Sequence, residues 1–314
     1  MKKWIVWLIG LVVLTVGCIY LLIPANIDIS CISSAKATLS AEFRYISREE
    51  SWERWWRNAG GQGHTRGQGF EYNGTIFRLT GQDHNFVHIE VEHGGLKLET
   101  ILTLISFSKD STGTVWHTAL KAGNNPLKRI STRRTAVRIK KDMSAVLQNL
   151  TSYVSETKNV YGLSIQRTSI RDTTMLTASF VSGRYPSIAE IYGFFDTLEK
   201  SIRRQHGLNS GAPMLNVRQL DGGGYETQVA IPTNRLLEND GKVHYRRMVP
   251  GNFMATEVQG GPLTIDQAMK QMEVYISDYQ KIVMAKPFQV LVTNRLTETD
   301  TAKWITKIYF PVVE

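Results

Sequence analysis

The chain has 314 residues, with 37 Lys or Arg against 28 Asp or Glu, a formal charge of +9, 42% hydrophobic residues and two cysteines. That composition supports an ordinary core rather than disorder, and the length suits two domains of ~100–200 residues behind a short N-terminal stretch. Two cysteines exclude a disulfide scaffold and a zinc–cysteine cluster, and a single long apolar segment excludes a polytopic transporter.

That segment is Trp4 to Ile23, apolar and uncharged. At ~1.5 Å per residue it reaches about 30 Å, the thickness of a bilayer's hydrocarbon core. Lys2 and Lys3 precede it, Trp4, Trp7 and Tyr20 sit near its ends, and Pro24, Asn26 and Asp28 mark its exit. Three readings stay open: an uncleaved anchor over residues 1–27, a cleaved signal peptide, and a lipid-modified Cys18. The run is long for a signal core, and Ile23-Pro24-Ala25-Asn26 makes a poor cleavage site. Thr15 stands where a lipoprotein would carry an aliphatic residue. The expectation is therefore a single-pass transmembrane helix in the cell membrane, with the two lysines cytoplasmic and the soluble domains on the outer, periplasmic side.

Residues 28–39 alternate as a strand does, with Cys31 as a small core residue. Ser47 to Asn58 reads as a short helix carrying Trp52, Trp55 and Trp56 at i, i+3, i+4, fit either to fill a core or to line a cavity mouth. Gly60 to Gly69 is a glycine-dense loop. Four β-rich runs follow, Phe70–Leu79, Phe86–His93, Leu96–Phe107 and Thr114–Leu120. Residues 135–157 then carry a helical stripe of Met143, Val146, Leu147, Leu150, Tyr153 and Val154. This order predicts an α+β domain with a long helix laid across a curved sheet.

After Gly162 the chain repeats itself. Ala178, Gly183 and Ile188 recur at Ala255, Gly260 and Ile265, an offset of 77 positions, and the helical runs Ile188–Ile202 and Ile265–Tyr279 follow in register. Ile231-Pro232 likewise matches Phe310-Pro311. Each half reads strand, helix, strand, strand, and two such halves are expected to bury each other's sheet faces and leave a crevice at a pseudo-twofold axis.

These residues carry two resemblances. Residues 165–314 resemble the GyrI-like effector-binding domain, the duplicated fold of small-molecule-sensing ends of bacterial AraC- and MerR-type regulators and of stand-alone proteins. The likeness rests on Tyr225-Glu226-Thr227-Gln228-Val229-Ala230-Ile231-Pro232, on Lys286-Pro287-Phe288-Gln289-Val290-Leu291-Val292-Thr293-Asn294, on the run from Lys303-Trp304 to Phe310-Pro311-Val312, and on Gly260-Gly261. Residues 28–160 resemble the helix-grip domain of the SRPBCC (START-like) superfamily, on the order of elements and the tryptophan-rich early helix. The GyrI-like resemblance implies a crevice that binds a hydrophobic or amphipathic small molecule, in a sensor or carrier role. Its alternative is a hydrolase of reactive electrophiles. Where the family carries a glutamate and, two positions on, a tyrosine, this chain has Gln289 and Leu291. A neutral amide neither holds a cation nor acts as a general base as a carboxylate does, so binding without catalysis is the expectation.

The candidate ligand-binding residues are accordingly Gln289, Tyr225, Glu226, Trp304, Tyr309, Tyr192 and Tyr275, with Phe195 and Met272 beside them. No catalytic residue, metal ligand or cofactor motif is assigned. His88, Glu90 and Glu92 share one face of a strand, but Val87, Ile89 and Val91 on the other face make a solvated polar row the plainer reading. Lys128, Arg129, Arg133, Arg134, Arg138, Lys140 and Lys141 form a basic run, read as solvated surface, as a contact for an anionic membrane or acidic partner, or as a nucleic-acid patch. With no recognition-helix motif, no nucleic-acid partner is expected.

Overall fold

The computed structural model describes residues 2–56, 69–170, 173–248 and 250–313, so the glycine-dense loop lies outside the described residues except for Gly69. Helix α1 spans Lys2–Leu22 and is followed by β1 (Asn26–Ala35), α2 (Leu39–Ile46), α3 (Glu49–Trp56), β2 (Phe70–Tyr72), β3 (Thr75–Asp83), β4 (Phe86–His93), β5 (Leu96–Ser108), β6 (Ser111–Lys121), α4 (Pro126–Ser155) and α5 (Thr157–Tyr161). Then come β7 (Gln166–Ile170), β8 (Thr173–Ser182), α6 (Ile188–Arg204), β9 (Met214–Gln219), β10 (Tyr225–Thr233), β11 (His244–Met248), β12 (Gly251–Gln259), α7 (Pro262–Asp278), β13 (Ile282–Val283), β14 (Phe288–Leu291) and β15 (Ile305–Val313). Two compact units divide between Glu156 and Thr157.

In the first unit α1 is long and apolar enough to cross a membrane, with a mean hydropathy of 2.7 over Lys3–Leu22 and no part of that stretch buried. By length and composition it fits a membrane span or a signal sequence equally. The six strands lie in the antiparallel order β1-β6-β5-β4-β3-β2. Helix α4 packs along β1 and buries Ala136, Ile139, Met143, Val146, Leu147, Leu150 and Val154 at i+3 and i+4 steps. It starts at Pro126, earlier than its apolar stripe implies. The Asn125 side chain accepts hydrogen bonds from the backbone N–H of Leu127 and Lys128, and Pro126 at the first helical position gives up no hydrogen bond there.

The three tryptophans of α3 are core. Trp52, Trp55 and Trp56 are at most 2% exposed, and their indole N–H groups donate to the carbonyls of Ile46, Tyr45 and Glu71. Glu90 and Glu92 both accept from Arg78 Nη1 at 2.7 Å, so this face of β4 is an ion-paired surface row. Cys31 is buried beside α4, with the Ser144 hydroxyl 3.1 Å from its Sγ.

One buried carboxyl stands out. Glu42 on α2 is fully buried; its Oε1 accepts from the Thr114 hydroxyl at 2.5 Å, while Oε2 has no hydrogen-bond partner. Burial pushes its pKa up to about 7, against the smaller lowering effect of Thr114. An unfolded glutamate titrates at about 4.3. Between those values the folded chain holds the proton more tightly, so stability falls as pH rises through this window and levels off above it. Glu42→Gln is therefore expected to stabilise the protein at about pH 8 by up to roughly 3 kcal/mol, with the gain gone by about pH 4. Thermal melts of both proteins across that range check it, and a gain independent of pH would contradict it.

In the second unit the element order is β8-α6-β9-β10 and then, after β11, β12-α7-β13-β14-β15, which is strand–helix–strand–strand again once the two-residue β13 is set aside. The antiparallel sheet runs β11-β8-β10-β9-β14-β15-β12-β7, with β13 added alongside β15. Six strand spacings of ~4.8 Å separate β11 from β12, about 29 Å on a flat sheet. Yet β11 ends at Met248 and β12 begins at Gly251. Three Cα steps of 3.8 Å reach at most ~11 Å. Strands β7 and β8 meet the same limit between Ile170 and Thr173. The sheet must therefore curl until its two edges approach.

Both helices cover one face of that sheet. Helix α6 packs Ile191, Phe195, Leu198 and Ile202 on Leu176, Ala178, Leu215, Val229, Ile231 and Leu291. Helix α7 packs Ile265, Ala268, Met272, Tyr275 and Ile276 on Met254, Val258, Ile308, Phe310 and Val312. The Ser187–Glu190 capping box starts α6. Gly260, at a φ of 147°, precedes α7 and donates its N–H to the Trp304 carbonyl.

Candidate functional site

Strand residues of alternate parity point away from the helices, and on that concave face a cavity of ≈ 500 Å³ opens. Its walls come from β8 (Met175, Thr177), β9 (Met214, Asn216), β10 (Gln228, Ala230), β12 (Asn252, Phe253), β14 (Phe288) and β15 (Pro311, Val313). The segment around β11 adds Arg246, Arg247 and Met248, and the approach to β14 adds Met284 and Lys286. Met175, Met214 and Ala230 form a small buried cluster there, with Met248, Phe288 and Val290 packed against it. Phe288 stacks on Tyr309 at 5.2 Å and meets Phe253 edge-on at 6.0 Å.

The polar groups of the wall are few and specific. Asn216 donates its amide N–H to the Pro287 carbonyl at 2.7 Å, while its Oδ1 is buried without a partner. A buried acceptor left open invites a ligand N–H or O–H. Lys286 bonds Glu226 at 2.9 Å, and Arg218 bonds the same carboxylate oxygen at 2.9 Å. Hydrogen bonds from Lys286, then Arg218, hold the Glu226 carboxyl below its ordinary range. Among the described residues the lining includes three basic side chains and no Asp, Glu, His or Cys. The site can therefore enclose an apolar body and favour a neutral or anionic head, but its lining supplies neither general base nor thiol nucleophile.

The residues singled out in the sequence fall on both faces. Tyr309 and Glu226 belong to the cavity face: Tyr309 lies behind Phe288, and Glu226 holds Lys286. Gln289 is opposite Leu215 and Ile308, both under the helices, so it shares their face and the cavity wall is made by its neighbour Phe288. Gln289 is 9% exposed there. Tyr225 is in the parity of Val229 and Ile231, also under α6, and meets the Tyr185 ring edge-on. Tyr192 on α6 packs edge-on against Phe195, and its hydroxyl oxygen accepts from the Arg295 backbone N–H at 2.7 Å. Arg295 in turn lies 4.9 Å over the Trp304 ring and donates to Thr306 Oγ1. Tyr275 is α7 core, edge-on to Tyr161. Tyr192 and Trp304 thus meet through Arg295, apart from the cavity.

The methionines, Asn216 and Gln228 were not singled out in the sequence. A signal did exist on β9 and β10: Asn216 and Gln228 alternate with Leu215, Val217 and Val229, which marks a second, more polar face.

No protein-family model matches this chain, and no curated protein matches it either. Among solved structures it is similar to the C-terminal domain of EcmrR, at 12% identity and a TM-score of 0.41 over 48% of this chain and 98% of that one. It is similar to SAV2435, solved bound to tetraphenylphosphonium, at 19% identity and 0.35 over 48% and 94%. It is also similar to a hydrolase from Listeria innocua, at 10% identity and 0.37 over 48% and 91%. At these scores the likenesses carry no chemistry across, and the site is read from its own geometry.

Gln289→Glu tests the assignment of faces. A carboxylate placed between Leu215 and Ile308 under the helices is expected to destabilise the fold by about 1–3 kcal/mol at neutral pH, less in acid. Binding of an apolar dye to the cavity is expected to stay unchanged. Tighter binding of a lipophilic cation in the variant would place residue 289 in the cavity and contradict the assignment.

Proposed function

We propose that this protein binds an amphipathic, mainly apolar small molecule in the concave cavity of its second unit, as a membrane-held sensor or carrier without chemistry of its own. The observation that carries this reading is the cavity itself. It falls within the ~300–1,000 Å³ typical of small-molecule sites. Met175, Met214, Met248, Met284, Phe253 and Phe288 line it, and such flexible thioethers accommodate varied shapes. The hydrolase alternative wants a carboxylate free to act in the site, and Glu226, on this face, is taken up by Lys286 and Arg218.

The finer architecture belongs to the same reading. Residues 165–314 are a GyrI-like effector-binding domain built from two related halves about a pseudo-twofold axis, which the sheet order supports by reading alike from both ends. Residues 28–160 are a START-like helix-grip domain, supported by the long α4 packed along the antiparallel sheet. Helix α1 is a single-pass anchor with the soluble units on the outer side, supported by its exposed apolar surface. No nucleic-acid partner and no cofactor enters this account.

Anilinonaphthalene sulfonate, apolar with one negative charge, is the probe for the full chain in detergent. Ala230→Trp, which fills the space between Met175 and Met214, is expected to weaken dye binding about tenfold while the thermal melt stays cooperative. Arg246→Glu is expected to weaken it at low salt only. Dye binding unaffected by Ala230→Trp would contradict the reading, as would turnover of an electrophilic ester or lactone that Ala230→Trp abolishes.

A further inference from the structure

In the first unit the end of α1 is tied to the first turn of α4. Arg129 is 7% exposed; its Nε donates to the Gly123 carbonyl at 2.8 Å and its Nη1 to the Ile23 carbonyl at 2.9 Å. Its guanidinium lies 4.3 Å over the Tyr20 ring, and the Tyr20 hydroxyl donates to the Asn124 carbonyl. Ile23 follows the last residue of α1, where carbonyls have no intrahelical partner, so this arginine satisfies a helix end and fixes α4 beside it.

Past that tie, a groove is lined by Ile23, Ile130, Arg133, Arg134 and Val137. Leu127 and Val137 are 75% and 62% exposed. Leu127, Ile130, Arg134, Val137 and Lys141 recur at i+3 and i+4 steps and share one face of α4. No acidic residue occurs between Pro126 and Lys141, and the next one, Asp142, is fully buried and accepts from Thr75. Arg138 turns the other way, toward Asn73 and Asp142.

We propose that this face of α4 rests on the anionic headgroups of the bilayer that α1 crosses. The inference depends on the anchor reading of α1. Ile23 closes the apolar span, so residues touching it stand at headgroup height. There the exposed Leu127 and Val137 enter the boundary between headgroups and acyl chains, and Arg133, Arg134 and Lys141 meet lipid phosphates. A helix face that mixes exposed apolar and basic residues without acids is the pattern of interfacial binding. A purely solvated surface accounts for the charges but leaves the exposed Leu127 and Val137 in water.

The test uses the full chain in nanodiscs of phosphatidylcholine, with or without phosphatidylglycerol, and a nitrobenzoxadiazole label on an introduced cysteine. Cys18→Ser removes the exposed native thiol, and Cys31 is buried. A label at Val12→Cys reports on the span and one at Val137→Cys on the α4 face. The Val12 label is expected to emit in the blue in both discs, and the Val137 label only in discs with phosphatidylglycerol, with the shift fading as salt rises. Arg133→Gln with Arg134→Gln is expected to lower the docking equilibrium roughly 25-fold, about fivefold per arginine, while circular dichroism stays unchanged. A Val12 label emitting as in water would overturn the anchor reading and this inference with it. A Val12 label in lipid beside a Val137 label in water in both discs, or one shifted equally in both, would overturn this inference alone. Duplex DNA bound by the full chain and released by the double arginine variant, with the Val137 label unshifted, would assign the face to nucleic acid instead.

Discussion

The second unit depends on a limit of chain reach. Two connections, Ile170 to Thr173 and Met248 to Gly251, join strands that stand six places apart in the sheet. A flat sheet would leave them about 29 Å apart, beyond what so few residues span. Curling follows from that limit, aided by the twist that all sheets carry. A curled sheet has unlike faces. The convex one takes both helices and their apolar cores, and the concave one carries methionines, amides and the rings of Phe253, Phe288 and Tyr309 around an open volume.

Alternation then decides the chemistry. A shift of one residue along a strand moves a side chain to the other face. Phe288 is therefore in the cavity wall and Gln289 under the helices. On the concave face, Glu226 is engaged by Lys286 and Arg218, and the cavity lining carries basic and amide-bearing side chains, so the local field favours a neutral or anionic ligand. On the convex face Arg295 lies over Trp304 beside Tyr192, and burial lowers its pKa.

Much of the architecture was legible in the sequence. Polar–apolar alternation marked β4 and β5, whose outer face meets water, and i+3, i+4 stripes marked α4, α6 and α7. The 77-residue offset led to the expectation of two similar halves, and the element order recurs with β13 added in the second. The site was less legible because β10 and β15 are buried on both faces over much of their length. With no wet side, apolar side chains appear at both parities, and the sequence does not say which parity faces the helices. The cavity's methionines look like core for the same reason. The buried Glu42 gave no sign at all, since the Thr114 hydroxyl it meets lies far away in sequence.

The central claim is that the concave cavity holds an apolar small molecule. Native mass spectrometry of the full chain, purified from cells and released from detergent, tests it most directly. The account predicts additional mass from a bound small molecule on the wild type, absent from Ala230→Trp purified in parallel. Bare protein mass in both, or the same additional mass in both, would contradict it.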